Sequence, residues 1–168
     1  KVAEVFDDMV SRSVPLYKET MKAVINLAQT FVKENTSVYD IGCSTGTLLS
    51  QCEKIFNKKS VKYCGIDSSP FMLKKAKDKL KKKENIFLFN QNIEKELLIK
   101  NASIVFMNYT LQFVRPLKRE LVLKTIFDGM KKDSAFFLVE KVLSSDKQLN
   151  QKFIDLYHSY KLTVGYSD

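Results

Sequence analysis

The sequence predicts a three-layer α/β domain, a mostly parallel sheet with helices on both faces. Three observations point there. Short apolar runs alternate with stretches of helical period along the chain, and strands separated by helices imply right-handed crossovers and parallel pairing. The strand-like runs are continuously apolar, as strands covered on both faces are. A glycine-containing turn joins the first strand to the helix that follows it.

The elements follow in order. Tyr17, Met21, Val24, Ile25, Ala28, Phe31 and Val32 recur at helical spacing. Residues 1–35 are therefore expected to form an N-terminal helical flap, and residues 36–168 the core of a single domain. Ser37–Ile41 reads as the first strand and Thr47–Phe56 as a helix. Val61–Ile66 reads as the second strand and Ser69–Lys83 as the next helix. Pro70 sits just inside that helix, where its missing N–H costs nothing. Ile86–Phe89 and Ser103–Met107 read as the third and fourth strands, Pro116–Met130 as a helix, Ala135–Val139 as a fifth strand and Asp146–Tyr160 as a last helix.

The composition is that of a globular chain of 168 residues, with 5 Gly and 3 Pro, which excludes collagen-like and low-complexity classes. No apolar run approaches the ~20 residues of a membrane span, and no signal peptide is expected. The net charge of +9 raises the question of a polyanionic partner. Yet the excess is lysine, with arginine only at Arg12, Arg115 and Arg119, and arginine is the residue suited to bidentate phosphate recognition. The lysines of 74–83 flank an apolar stripe of Met72, Leu73, Ala76 and Leu80, as on a solvated amphipathic helix. With no basic-aromatic strip in the sequence, direct nucleic-acid binding is not expected. Cys43, Cys52 and Cys64 lack metal-ligand spacing, and one histidine, His158, cannot complete a zinc site. No metal is expected, and an odd cysteine count suits a reducing cytoplasm. His158 reads as a structural or surface residue.

In such folds ligands bind beyond the carboxyl ends of the strands. The first strand runs into Asp40-Ile41-Gly42-Cys43-Ser44-Thr45-Gly46. The third glycine of the dinucleotide fingerprint is missing, and no Gly-Lys-Ser/Thr of a P-loop follows. The spacing D-x-G-x-x-x-G suits S-adenosylmethionine (SAM), with its amino-acid end at the loop. Asp40 could orient the loop or receive the ammonium group. Cys43 reads as a small residue fitting a tight turn. Asp67 follows Gly42 by 25 residues, near the ~20 expected of an acidic ribose ligand. Asp67 could instead cap a helix, but Ser69 is an alternative cap. The third strand ends in Asn90-Gln91-Asn92-Ile93, where an amide can meet an adenine edge. The fourth ends at Asn108, beside the expected sulfonium.

On these motifs the chain resembles class I SAM-dependent methyltransferases, with their Rossmann-like fold, and within them the carboxy-S-adenosyl-L-methionine (carboxy-SAM) synthase family. The matching segments are Val2-Ala3-Glu4-Val5-Phe6, Arg12-Ser13-Val14-Pro15 with Tyr17, and Val38 to Ser44. Ile66-Asp67-Ser68-Ser69-Pro70, Asn101-Ala102-Ser103, Thr110-Leu111-Gln112-Phe113, Glu140-Lys141 and Gly165-Tyr166-Ser167 match as well.

The resemblance implies conversion of SAM and prephenate to carboxy-SAM and phenylpyruvate. The product would feed a tRNA carboxymethyltransferase that modifies a wobble uridine. It implies a homodimer and cofactor contacts at Tyr17, Gly42, Cys43, Ser44, Asp67, Ser68, Asn92, Ile93 and Asn108. Asn92 departs from the family's usual aspartate, though its amide still offers an acceptor. Arg12 and Tyr17 are the candidates for closing the flap over the pocket; Arg12 could equally be a surface ion-pair residue. The family's C-terminal strands and its carboxylate-binding arginine are not represented in the chain, so a domain without them is expected. A conventional methyltransferase acting on tRNA or a small molecule is the alternative.

Overall fold

The structure is a computed structural model and describes residues 2–166; Ser167, the end of the Gly-Tyr-Ser segment, lies outside the described residues. Two helices, α1 (Val2–Ser13) and α2 (Tyr17–Ala28), precede the sheet. Then β1 (Ser37–Ile41), α3 (Thr47–Phe56), β2 (Lys62–Asp67), α4 (Pro70–Leu80) and β3 (Ile86–Asn90) follow in turn. The chain continues through β4 (Ala102–Asn108), α5 (Pro116–Gly129), β5 (Met130–Val139) and α6 (Lys147–Thr163).

The five strands form one sheet in the order β3-β2-β1-β4-β5, and all four pairings are parallel. The order reverses between β1 and β4, which makes a switch point at their carboxyl ends. All five residues of β1 are buried, as its central place requires. Ile25, Leu49, Phe56 and Phe106 belong to the apolar layer on one face, and Ile41, Met107, Val122 and Ile126 to the layer on the other.

Most element boundaries fall within three residues of the sequence expectation, and three departures go further. The first predicted helix spans 17–32, but α2 ends at Ala28. The Thr30 hydroxyl donates to the Leu27 carbonyl at 2.8 Å, and the chain tightens into a turn in which Phe31 N–H donates to Ala28. Val32 is still buried, so the apolar spacing recorded the core face beyond the helix itself. Between α1 and α2 the chain breaks at Leu16, which takes a left-handed φ of 54° after Pro15. β5 begins five residues earlier than expected. Ala102 pairs with Met130 but Ile104 pairs with Ala135, so β5 bulges between them, around the left-handed Asp133.

Candidate functional site

A cavity of about 600 Å³ opens at the carboxyl ends of β1, β2 and β4, a volume in the range of small-molecule sites. Its walls include Tyr17, Asp40, Gly42, Cys43, Ser44, Asp67, Ser68, Asn92, Ile93 and Asn108. Every residue expected to touch a cofactor is thus brought to one hollow. α1 forms part of the cover through Phe6, Asp7 and Val10.

The turn after β1 is shaped by its neighbours. Gly42 and Cys43 both donate their N–H to the Ile66 carbonyl, at 2.8 and 3.0 Å. Gly42 has a φ of +79°, and a Cβ built there would lie 2.1 Å from Thr110 Oγ1. The glycine is needed twice, for its backbone conformation and for the close approach of the loop after β4. Gly65 leaves room for the Cys43 thiol, since a Cβ there would lie 2.8 Å from Cys43 Sγ. Cys43 is a packing residue of the turn; burial pushes its thiol far above the usual range.

Asp67, last residue of β2, accepts from Ser44 N–H at 2.8 Å with one carboxylate oxygen and from Ser69 N–H at 2.8 Å with the other. Ser69 caps α4, receiving the Met72 N–H at 3.4 Å. The cap therefore does not leave Asp67 free, as the sequence suggested. Asp67 ties the β1 turn to the start of α4 and retains lone pairs toward the cavity. Asn92 likewise spends its acceptor locally: Oδ1 receives Glu94 N–H at 3.0 Å, an Asx-type turn. Its amide nitrogen is the group left to face a ligand.

Two polar side chains of the cavity wall, Asn108 and Asp40, lack a side-chain partner among the described residues. Both amide atoms of Asn108 are shielded from solvent without a hydrogen bond, a costly state for a side chain that serves only the fold. Asp40 is 4% exposed, and among the described residues no side chain donates to it. Burial, and then the nearby Asp67 carboxylate, push its pKa up to about 7. A ligand bringing a cation to Asp40, as the ammonium end of SAM does, and a hydrogen-bonding group to Asn108 would supply what each lacks. Tyr17 feels the Asp40 carboxylate too: burial, then Asp40 and Asp7, raise its phenol to about 12. Its ring lies 6.2 Å from that of Tyr109.

Arg12 corrects an expectation, for it is not part of the cavity wall. Its guanidinium pairs with Asp8 at 2.6 Å, one helical turn back, and stands 5.5 Å from the ring centre of Tyr166. Spacing i, i+4 on an exposed helix makes that pairing the local default. The ion pair fits the surface reading of Arg12. His158 lies exposed on α6 away from the cavity.

The sequence reading missed Asp7. Its carboxylate accepts from Thr45 at 2.6 Å and from Lys79 at 2.7 Å, and Lys79 also reaches Thr47 at 2.6 Å. This knot fastens α1 to the start of α3 and the last turn of α4 beside the cavity. An acid in an amphipathic helix carries no sequence mark that would have revealed it. Thr110 was legible only as part of a matching segment, and Tyr109 only as the residue that follows Asn108.

Comparison with known proteins bears on this geometry. Residues 39–136 match the methyltransferase domain family. The chain is 42% identical over 170 residues to the carboxy-S-adenosyl-L-methionine synthase of Desulfotalea psychrophila, spanning 100% of this chain and 69% of that protein. The synthase of Nautilia profundicola is 39% identical over 168 residues, covering 100% of this chain and 71% of its own length. Among solved structures, DesVI of Streptomyces venezuelae aligns with a TM-score of 0.68 at 18% identity, over 85% of this chain and 58% of its own. The last likeness speaks to the fold alone. On the sequence identity and its extent, the chain belongs to the carboxy-S-adenosyl-L-methionine synthase family of SAM-dependent enzymes, within the class I methyltransferase fold.

Proposed function

We propose that the protein converts SAM and prephenate to carboxy-SAM, with phenylpyruvate and water as co-products. What supports this most is the similarity, over the whole of this chain and 69% of the relative, to a protein named as a carboxy-SAM synthase at 42% identity. Bound SAM supplies a sulfonium that acidifies its methyl group, the acceptor for carbon dioxide released from prephenate.

The chain's own residues bind, orient and exclude water. The Asp40 carboxylate receives the ammonium end, and Asp67, already fixed by two N–H groups, offers its remaining lone pairs to the ribose hydroxyls. The Asn92 amide nitrogen and Ile93 border the adenine. Asn108 directs its amide at the reacting end. Tyr17 and Tyr109, both with phenols raised by burial, stay protonated and wall the reacting end as neutral groups. No strong protein base is required. Loss of carbon dioxide and hydroxide restores an aromatic ring in prephenate, and that hydroxide takes the methyl proton as water. The protein's part is proximity and shielding.

In this reading the product passes to a tRNA carboxymethyltransferase acting on a wobble uridine. The protein works as a homodimer in the cytoplasm, where three free, buried thiols are at home. The test is incubation of the protein with SAM, with and without prephenate, followed by mass analysis of nucleosides and keto acids. Carboxy-SAM and phenylpyruvate formed together, and only with prephenate, are expected. Methyl transfer independent of prephenate would instead establish the conventional methyltransferase.

A further inference from the structure

The segment from Gln91 to Asn101, between β3 and β4, contains no helix. One face of the β2–β3 side of the sheet is therefore left open. On β3, Ile86 and Leu88 point to the apolar layer shared with α3. Phe87 and Phe89 point the other way and are 42% and 41% exposed. A hollow of about 560 Å³ lies on this face, and Tyr39, Lys62, Phe87, Phe89 and Lys100 line it with small polar residues and Cys64. No Asp or Glu is among its lining residues. Among the described residues neither Lys62 nor Lys100 is in an ion pair.

We propose that this face binds single-stranded RNA, with Phe87 and Phe89 stacking bases and Lys62 and Lys100 meeting phosphates. Single half-exposed apolar residues are ordinary. Here two phenyl rings share one face of an edge strand and stand beside cations, with no acid to neutralise them. Residues i and i+2 of a strand lie about 6.6 Å apart, roughly twice the ~3.4 Å rise of stacked bases in a duplex. The two rings thus suit bases that have been unstacked from each other, the form in which single strands meet aromatic platforms. The sequence concealed the strip because its parts come from β2, β3 and the loop before β4. The surface lies on the sheet face, and none of its lining residues lines the carboxyl-end cavity, so it can be tested separately from the cofactor site.

The experiment is fluorescence anisotropy of a labelled twelve-nucleotide oligouridylate, titrated with the full chain across a salt series, with an RNA duplex as comparison. Phe87→Leu and Phe89→Leu keep apolar bulk and remove the aromatic face. Each is expected to weaken oligouridylate binding by about 5-fold or more while SAM affinity stays unchanged. The pair Lys62→Ala and Lys100→Ala is expected to lower the salt slope by about 1.4. Duplex should bind more weakly than single strand. No detectable oligouridylate binding would overturn the proposal. Binding equally strong in the leucine variants, or equal for duplex, would also overturn it, since charge alone would then suffice. Self-association abolished by the leucine variants, without RNA binding, would reassign the face to a protein contact and equally overturn it.

Discussion

Replacing Asp40 by asparagine should uncouple the stability of the ligand-free protein from pH. Asp40 is buried at the end of a wholly buried strand, and its pKa is raised from 3.8 to about 7. A raised folded-state pKa means that the native protein holds a proton the unfolded chain has released. The contribution is full below pH ~4 and is lost as pH rises through about 7. Three units at 1.36 kcal/mol each give a swing of order 4 kcal/mol. Between those limits the wild-type stability should fall by up to ~1.4 kcal/mol per pH unit on this account alone. The amide introduced by Asp40→Asn carries its own burial cost, but that cost does not change with pH. Urea unfolding of both proteins from pH 4 to 8 therefore reads the difference in slope. The variant should gain on the wild type steadily toward pH 8. Calorimetric titration with SAM should show the reverse: wild-type affinity falls as pH drops below about 7, and the variant binds weakly throughout. Parallel stability curves over the whole range would refute the argument, since Asp40 would then be ionised at every pH tested.

Gly42→Ala should cost about 1–2 kcal/mol for its left-handed backbone and a further ~1–3 kcal/mol for overpacking against Thr110. Adding Thr110→Ala should recover only the second part, as thermal denaturation of the double-mutant cycle would show. Asn108→Leu should stabilise the ligand-free protein by about 1–3 kcal/mol, by removing an orphaned buried amide, while lowering SAM affinity at least tenfold by calorimetry. Asp7→Asn should change stability by no more than about 1 kcal/mol, since its pairing with Lys79 is half exposed. Bound SAM should nevertheless leave faster in a stopped-flow chase, because α1 loses its fastening over the cavity.

Much of this architecture was legible because strand ends are written locally. Asp40, Gly42, Asp67 and Asn108 each close or follow an apolar run, and parallel topology brings such ends together whatever the loops do. The hidden part was how these groups use their hydrogen bonds. Ser69 reads as the cap that releases Asp67, but the geometry of the β1 turn recruits Asp67 even with the cap in place. Asn92 reads as an acceptor, yet its own turn takes the oxygen. Arg12 reads as a residue closing over the pocket, yet it lies on the covering helix outside the cavity wall, paired with a carboxylate one turn away. Asp7 gave no sign at all, since its partners Thr45 and Lys79 are distant in sequence and meet only when α1 lies across α3 and α4.

The hydrogen bond from Ser44 N–H to Asp67 acts as a ruler. On the proposed function, it makes the distance between the turn assigned to the amino-acid end and the carboxylate assigned to the ribose an internal dimension of the protein, 2.8 Å at its narrowest link. A ligand gripped at both ends cannot lengthen or shorten between them. Any variation it carries must be accepted where the grip is absent, on the side of Asn108, Tyr17 and Tyr109. A site calibrated in this way can hold a sulfonium before and after its small substituent has grown, and register the change at one wall only.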